Sequence, residues 1–347
     1  MISLGVVLTP IIKKKILTLE DLRGRSLAVD GFNVLHQFLA LIRGRDGKPL
    51  SDKEGHVTSH LVGLAFRSTR LISDYGMKLV FVFDGKPPEL KSDEIEKRRQ
   101  AKLKAETAYE EAVSRGDMAD AFSKAVMTGR LTRQGVDDAK RLLSLMGIPW
   151  VQAPSEGEAQ AAYMAQKGDV WGSNSRDYDS LLFGTPRLIR YLTISGEEWL
   201  PSKGRARKLE PELIVLHELL GQLGITRSQL IDLSILVGTD FNSGVKGIGP
   251  KTALKLIKRH GKLENLPDEV FTKVTDQFEQ IRMIYLKPQV TDEYKVNESP
   301  LQDEELKRFL CDDRDFSEER VDTLIKRMRR QTTQRSLREY MGASHKP

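Results

Sequence analysis

Apolar residues along this chain fall into two kinds of pattern. Short unbroken runs occupy Ser26–Asp30 and residues 78–84, the second rich in β-branched and aromatic residues, and each ends in an aspartate. Runs of this length read as strands buried on both faces, as in a parallel sheet. Between them, residues 55–75 space Leu, Phe and Ile at helical intervals. Strand, helix, strand predicts a crossover unit of an α/β sheet. Residues 169–174 and 187–192 are further strand candidates. Residues 210–262 read as helical around a glycine turn at 247–250, and 264–310 as mixed and loop-rich. A basic helix is predicted at 316–330, followed by a polar tail from Gln331. Residues 86–134 break the pattern, being rich in Ala, Lys, Glu and Arg and poor in large apolar residues. They predict one or two exposed helices that add little to a core, inserted directly after Asp84.

Composition narrows the partners. The chain has 347 residues, with 55 Lys and Arg against 49 Asp and Glu, a net charge of +6. That balance permits a polyanionic partner without requiring one. The single cysteine, Cys311, excludes an internal disulfide framework and a cysteine-based zinc site. No apolar run approaches the ~20 residues of a membrane helix. The order of Ile11 and Ile12 before Lys13, Lys14 and Lys15 is not that of a secretory signal. The expectation is a soluble intracellular protein, cytoplasmic or nucleoid-associated, with no membrane partner.

The chemistry lies in carboxylates. Asp30 and Asp84 each end a predicted strand, where open α/β sheets bind ligands; an Asp there is as often a helix N-cap. Glu156 and Glu158 open a helix of small residues. Ser155 and Glu158 fit a capping box, an alternative that Glu156 does not share. Asp177 and Asp179 follow the strand at 169–174 and share a side if the backbone stays extended. Asp240 follows the apolar helix 230–237. Each acid has a turn or cap reading alone. Seven together on strand ends and turns of one unit point to a shared site, and such a site needs cations to offset its repulsion. Oxygen ligands without Cys or His select Mg²⁺ or Mn²⁺. Two such ions ~4 Å apart would form a phosphodiester-cleaving centre, one activating water and both stabilising the in-line transition state. Asp232 stands off this pattern and reads as structural.

The cations form two groups. Gly247, Gly249 and Pro250 fit a helix-hairpin-helix type turn that aims free amides and a helix N-terminus at a phosphate. From Lys246 to Lys262 the chain carries Lys251, Lys255, Lys258 and Arg259 as well, and no acid. That favours sequence-independent, salt-sensitive phosphate binding over a merely solvated helix face. The insertion is mixed in charge. Lys91 and Arg98 are seven residues apart on one helical face, placed to neutralise a scissile phosphate above the acids.

These motifs, in this order, resemble the flap endonucleases of archaeal type, within the 5′-nuclease or XPG-like family: Val29-Asp30, Phe83-Asp84-Gly-Lys-Pro-Pro88, Glu156-Gly-Glu-Ala-Gln160, Arg176-Asp-Tyr-Asp-Ser-Leu-Leu-Phe-Gly184, Leu236-Val-Gly-Thr-Asp240 and Gly247-Ile-Gly-Pro-Lys251. The resemblance implies an α/β, PIN-like nuclease domain with a mostly parallel central sheet. It implies a helical arch at about 86–134 and a helix-two-turn-helix at about 232–260. On it the chain divides into an N-terminal nuclease region to 134, an internal nuclease region 135–270, a C-terminal region 271–330 and a clamp-binding tail 331–347.

The resemblance also implies that the seven carboxylates hold two Mg²⁺ ions, with Mn²⁺ as a substitute, and that Lys91 and Arg98 act on the phosphate. The duplex contacts would be Gly247, Gly249, Lys251, Lys255 and Lys258, with a potassium ion at the turn and with His36 and Arg45 elsewhere on the DNA. Gln334, Leu337, Tyr340 and Met341 resemble a sliding-clamp box. The implied activity is cleavage of 5′ flaps, double flaps and nicked duplexes by a monomer, with 5′–3′ exonuclease action, in Okazaki-fragment maturation and repair. A related 5′ nuclease preferring bubbles, gaps or RNA ends, and a non-catalytic branched-DNA or clamp-associated module, are the alternatives. The chain departs from the family at four places. Residues 1–4 precede the usual start, His36 replaces a base-stacking Tyr, Arg176 replaces a Gln or Glu, and Met341 replaces the second aromatic.

Overall fold

The computed structural model describes residues 6–44, 48–88, 90, 131–194, 196–200 and 205–343, with the side chains of 196–208 and of residues beyond 330 outside that description. Arg45, Lys91, Arg98 and most of the 86–134 insertion therefore fall outside it.

The apolar runs form the centre of a seven-stranded sheet. Strand β1 is Lys15–Ile16, β2 Ser26–Asp30, β3 Lys78–Phe83, β4 Trp150–Gln152, β5 Gly172–Asn174 and β6 Arg187–Arg190; β7, Gly196–Leu200, and β8, Arg205–Leu209, make a separate antiparallel pair, and β9 is Glu212–Val215. The order across the sheet is β1-β9-β6-β5-β2-β3-β4. Strands β4, β3, β2, β5 and β6 run parallel, whereas β9 is antiparallel to both β6 and β1. Leu27, Ala28, Val29, Val80, Phe81, Val82 and Phe83 are at most 1% exposed, as strands covered on both faces require.

Helix α1, Gly31–Leu41, and α2, Ser59–Tyr75, connect β2 to β3. They approach closely: a Cβ on Gly63 would lie 2.2 Å from Cγ of Phe38, so only glycine lets the ring sit there. Helix α3, Arg133–Leu145, leads into β4, α4, Gly157–Lys167, lies between β4 and β5, and α5, Asp179–Leu182, follows β5. Beyond the sheet come α6, Leu216–Leu223, α7, Arg227–Val237, α8, Pro250–His260, and α9, Phe278–Leu286. Helix α10, Glu318–Ala343, packs Val321, Leu324 and Ile325 into the core that α1 and α2 share.

Four expectations change. Residues 212–215 form a strand, not helix: Glu-Leu-Ile-Val pairs with β6, and half its positions are buried. The strand at 169–174 is confined to 172–174, because the amide of Asp169 closes the end of α4 by donating to Met164 at 3.1 Å. The strand at 187–192 ends at Arg190, where Tyr191 turns to a φ of 60°. The polar segment from Gln331 continues α10 as helical backbone to Ala343.

Candidate active site at the carboxyl edge of the sheet

Because β2, β3 and β5 are parallel, their carboxyl ends lie on one edge, and that edge carries the acids. Asp30 ends β2 and caps α1, its Oδ1 accepting from the amide of Asn33 at 3.0 Å. Its Oδ2 accepts from the Ser175 hydroxyl at 3.3 Å, so the cap and the site share one side chain. Asp84 follows β3, and its Oδ1 accepts from the amide of Gly157 at 2.6 Å. A Cβ at Gly157 would lie 2.7 Å from that oxygen, so glycine is what admits Asp84 there.

Glu158 accepts from the Ser180 hydroxyl at 2.8 Å. The predicted capping box does not form: Glu156 is the N-cap of α4, with no side-chain cap bond, and Glu158 is turned to Ser180. Asp177 Oδ2 accepts from Asn33 Nδ2 at 2.7 Å. The backbone from 177 to 179 is not extended, since Tyr178 is α-helical in φ and ψ and Asp179 starts α5. Asp179 nonetheless lies close enough to Asp177 to raise its protonation.

Burial first, then the charges of Glu158 and Asp84, hold the Asp30 carboxyl well above the carboxylate range. Burial first, then Glu158, Asp179, Asp30 and Asp240, does the same to Asp177. Glu158 is pushed up to about 7, burial again leading and Asp240 and Asp84 adding to it, against hydrogen bonds from Ser175 and Ser180. These influences tie Asp30, Asp84, Glu158, Asp177, Asp179 and Asp240 into one electrostatic group. Glu156 borders it, in the wall of a cavity of about 740 Å³ that Lys86, Phe183 and Met283 also line. Among the described residues, no three carboxylate, imidazole or thiolate groups are drawn tightly enough to hold an ion as they stand. Like charges repel, and a cation is what would draw such a set together.

Several neighbours were not read from the sequence. Asn33, Ser175, Ser180 and Tyr285 each donate a neutral hydrogen bond to an acid, the last from α9 to Asp179 Oδ1 at 3.1 Å. Arg190, buried on β6, braces the acid-bearing turn: Nε donates to the Arg176 carbonyl at 2.7 Å, and Nη1 to the Tyr178 hydroxyl at 2.6 Å and to Glu212 at 3.1 Å. The serines flank Asp177 and Asp179 and could have been suspected. Nothing local marks Tyr285 or Arg190.

The cationic element is also in place. Gly247 has a φ of 87°, Gly249 is the N-cap of α8 and Pro250 its first residue. A Cβ would meet nothing within 4 Å at either glycine, so the space above the turn is open. Lys246, Lys251, Lys255, Lys258 and Arg259 are exposed while Ala253 and Ile257 turn into the core. His36 lies exposed on α1. Gln334, Leu337, Tyr340 and Met341 ride on the far part of α10, with side chains outside the described set.

Residues 3–105 match the XPG N-terminal domain and residues 147–240 the XPG I-region. The chain is 50% identical over 315 residues to flap endonuclease 1 of Ignicoccus hospitalis, covering 91% of this chain and 90% of that one. The chain belongs to the flap endonuclease family. The family is one of metal-dependent nucleases, hydrolases of phosphodiester bonds. Among solved structures, flap endonuclease-1 from Methanococcus jannaschii superposes with a TM-score of 0.76 at 40% identity, over 95% of this chain and all of that one. The catalytic core of Rad2 in complex with DNA substrate shares the fold, at a TM-score of 0.68 and 23% identity over 92% of this chain and 97% of that one. Among the described residues no helix is long and apolar enough to cross a membrane.

Proposed function

We infer that this flap endonuclease cuts 5′ flaps at branched DNA junctions, with 5′–3′ exonuclease action, in lagging-strand maturation and repair. The observation that carries the reading is the group of acids at the carboxyl edge of the sheet, where burial and the neighbouring charges raise the protonation of Asp30, Glu158 and Asp177. An edge that must protonate or attract cations to exist, in a chain of this family, fits divalent metal by its charge and by its all-oxygen donors. Asp30, Asp84, Glu156, Glu158, Asp177, Asp179 and Asp240 would hold two Mg²⁺ ions, with Mn²⁺ as a substitute. When bound, the ions supply positive charge against the attacking and leaving oxygens and lower the pKa of water.

The protein's own part is orientation. Asn33, Ser175, Ser180 and the Gly157 amide hold Asp177, Asp30, Glu158 and Asp84 by neutral donors that leave the net charge of the edge unaltered. Lys91 and Arg98 would meet the scissile phosphate. The exposed cations of α8 and the turn at Gly247 and Gly249 would grip duplex phosphates without reading sequence, with a potassium ion at the turn, and His36 and Arg45 would touch DNA elsewhere. The residues Gln334, Leu337, Tyr340 and Met341 would bind a sliding clamp, and the enzyme would act as a monomer.

The test compares labelled double-flap, bubble and single-stranded substrates in Mg²⁺ and in EDTA. Double flaps are expected to be cut first, with no cutting in EDTA. Faster cutting of bubbles would move the assignment to a related 5′ nuclease of different preference.

A further inference from the structure

Tyr285 lies on α9 and is 1% exposed, wedged between two acid-bearing turns. Its ring centroid is 4.9 Å from that of Phe183, which closes the short helix that Asp179 begins, and 5.6 Å from that of Phe241, the residue after Asp240. Its hydroxyl donates to Asp179 Oδ1 at 3.1 Å. The main chain is fastened as well. Arg227 on α7 donates through Nη2 to the Tyr285 carbonyl at 2.7 Å and through Nε to the Leu182 carbonyl at 2.9 Å. One guanidinium thus joins the end of α9 to the end of α5. Tyr285 is thus held at its main chain by Arg227 and at its ring by Phe183 and Phe241.

Packing alone would be met by phenylalanine. A hydroxyl taken out of water is costly unless a partner receives its proton, and Asp179 receives this one. A hydrogen bond to one carboxylate oxygen fixes the rotation of the group, and with it the direction in which the other oxygen is offered. Removing an outer group that orients a metal-holding side chain in this way typically costs about 10–100-fold in ion affinity.

We propose that Tyr285 is a positioning residue for Asp179, holding its carboxylate in the orientation in which it takes a divalent ion, so that α9 helps set metal affinity without touching metal or DNA. The inference rests on Asp179 being one of the metal-holding acids. Tyr285→Phe keeps the ring and removes only the hydroxyl. The full-length protein is titrated calorimetrically with Mg²⁺ in the absence of DNA, double-flap cleavage is followed at graded Mg²⁺, and thermal unfolding is recorded in EDTA.

Tyr285→Phe is expected to weaken Mg²⁺ binding by about tenfold or more. The half-saturating Mg²⁺ for cleavage should move by the same factor, with KM for DNA unchanged. Asp179→Asn should weaken Mg²⁺ binding by itself, and adding Tyr285→Phe to it should weaken binding no further. Undiminished Mg²⁺ affinity in Tyr285→Phe would overturn the proposal, whether or not its unfolding temperature in EDTA falls. Wild-type Mg²⁺ affinity in Asp179→Asn would instead overturn the metal reading itself, and the proposal with it.

Discussion

Two parts of this molecule bury carboxylates, and they handle the charge in opposite ways. Asp232, on α7, is 1% exposed. Burial pushes its carboxyl up, but Arg282 on α9 pulls it back with bonds of 2.7 and 3.1 Å from Nε and Nη2. The same guanidinium reaches Glu264 at 2.9 and 3.0 Å. Asp232 has a cation of its own within the fold. At the sheet edge, Asp30, Glu158 and Asp177 are surrounded by other acids and by amide and hydroxyl donors. The difference separates an acid that fastens helices from the acids proposed to take a cation from outside. It also separates Asp232 from Asp240, which the same stretch of chain carries.

The comparison breaks most sharply at Asp179. Asp179→Ala should abolish cleavage of a double flap in Mg²⁺ while a gel-shift assay still shows binding to it. A variant that cuts at the wild-type rate would remove the distinction. At the other acid the effect should fall on stability. Arg282→Met strands buried Asp232, a loss of about 3–5 kcal/mol measurable by urea denaturation, whereas Asp232→Leu combined with Arg282→Met should recover most of it. A single variant as stable as wild type would mean the pair fastens nothing.

A smaller effect concerns pH. A folded carboxyl held above its unfolded value carries a proton that the unfolded chain has released, so the metal-free fold loses stability as pH rises from its ordinary value of 4.5 toward about 7 for Glu158. On the proposed site, metal binding would displace that proton. The rise in melting temperature on adding Mg²⁺ should therefore grow as pH climbs through 7; a rise independent of pH would place the metal elsewhere. The smallest effect belongs to the exposed cations. Lys255→Ala should weaken duplex binding evenly across sequences and lower the salt slope by about 1, leaving Mg²⁺ affinity alone.

The parts of the fold that were legible are those in which local pattern and tertiary setting agree. Strands β2 and β3 sit inside the sheet, so residues 27–29 and 79–83 are covered on both faces and are apolar throughout. Strand β9 reads as helix because Glu-Leu-Ile-Val runs straight into the helical Leu216–Leu223, and only pairing with β6 decides between the two. Strands of two or three residues, such as β1 and β4, are too short to carry a period. At the site, the acids stand out as residue types on strand ends and turns. Their partners do not: Asn33 and Tyr285 lie 144 and 106 residues from the acids they hold. The capping box at Ser155 failed for a related reason. Glu158 had a better offer from Ser180, 22 residues on, which no local rule could weigh.

Helix α10 begins inside the core, where Val321, Leu324, Ile325 and Met328 are buried and Arg327 reaches Asp74 on α2 at 2.7 Å. It then continues without a break to Ala343, 26 residues in all, or roughly 39 Å at the helical rise. A loose tether of that length would be indifferent to one residue more or less. A shaft is not: deleting one residue beyond the core turns everything after it by about 100°. A partner that took hold of the far end would thus receive the nuclease at a set angle, and would read the chain length between grip and core as a rotation.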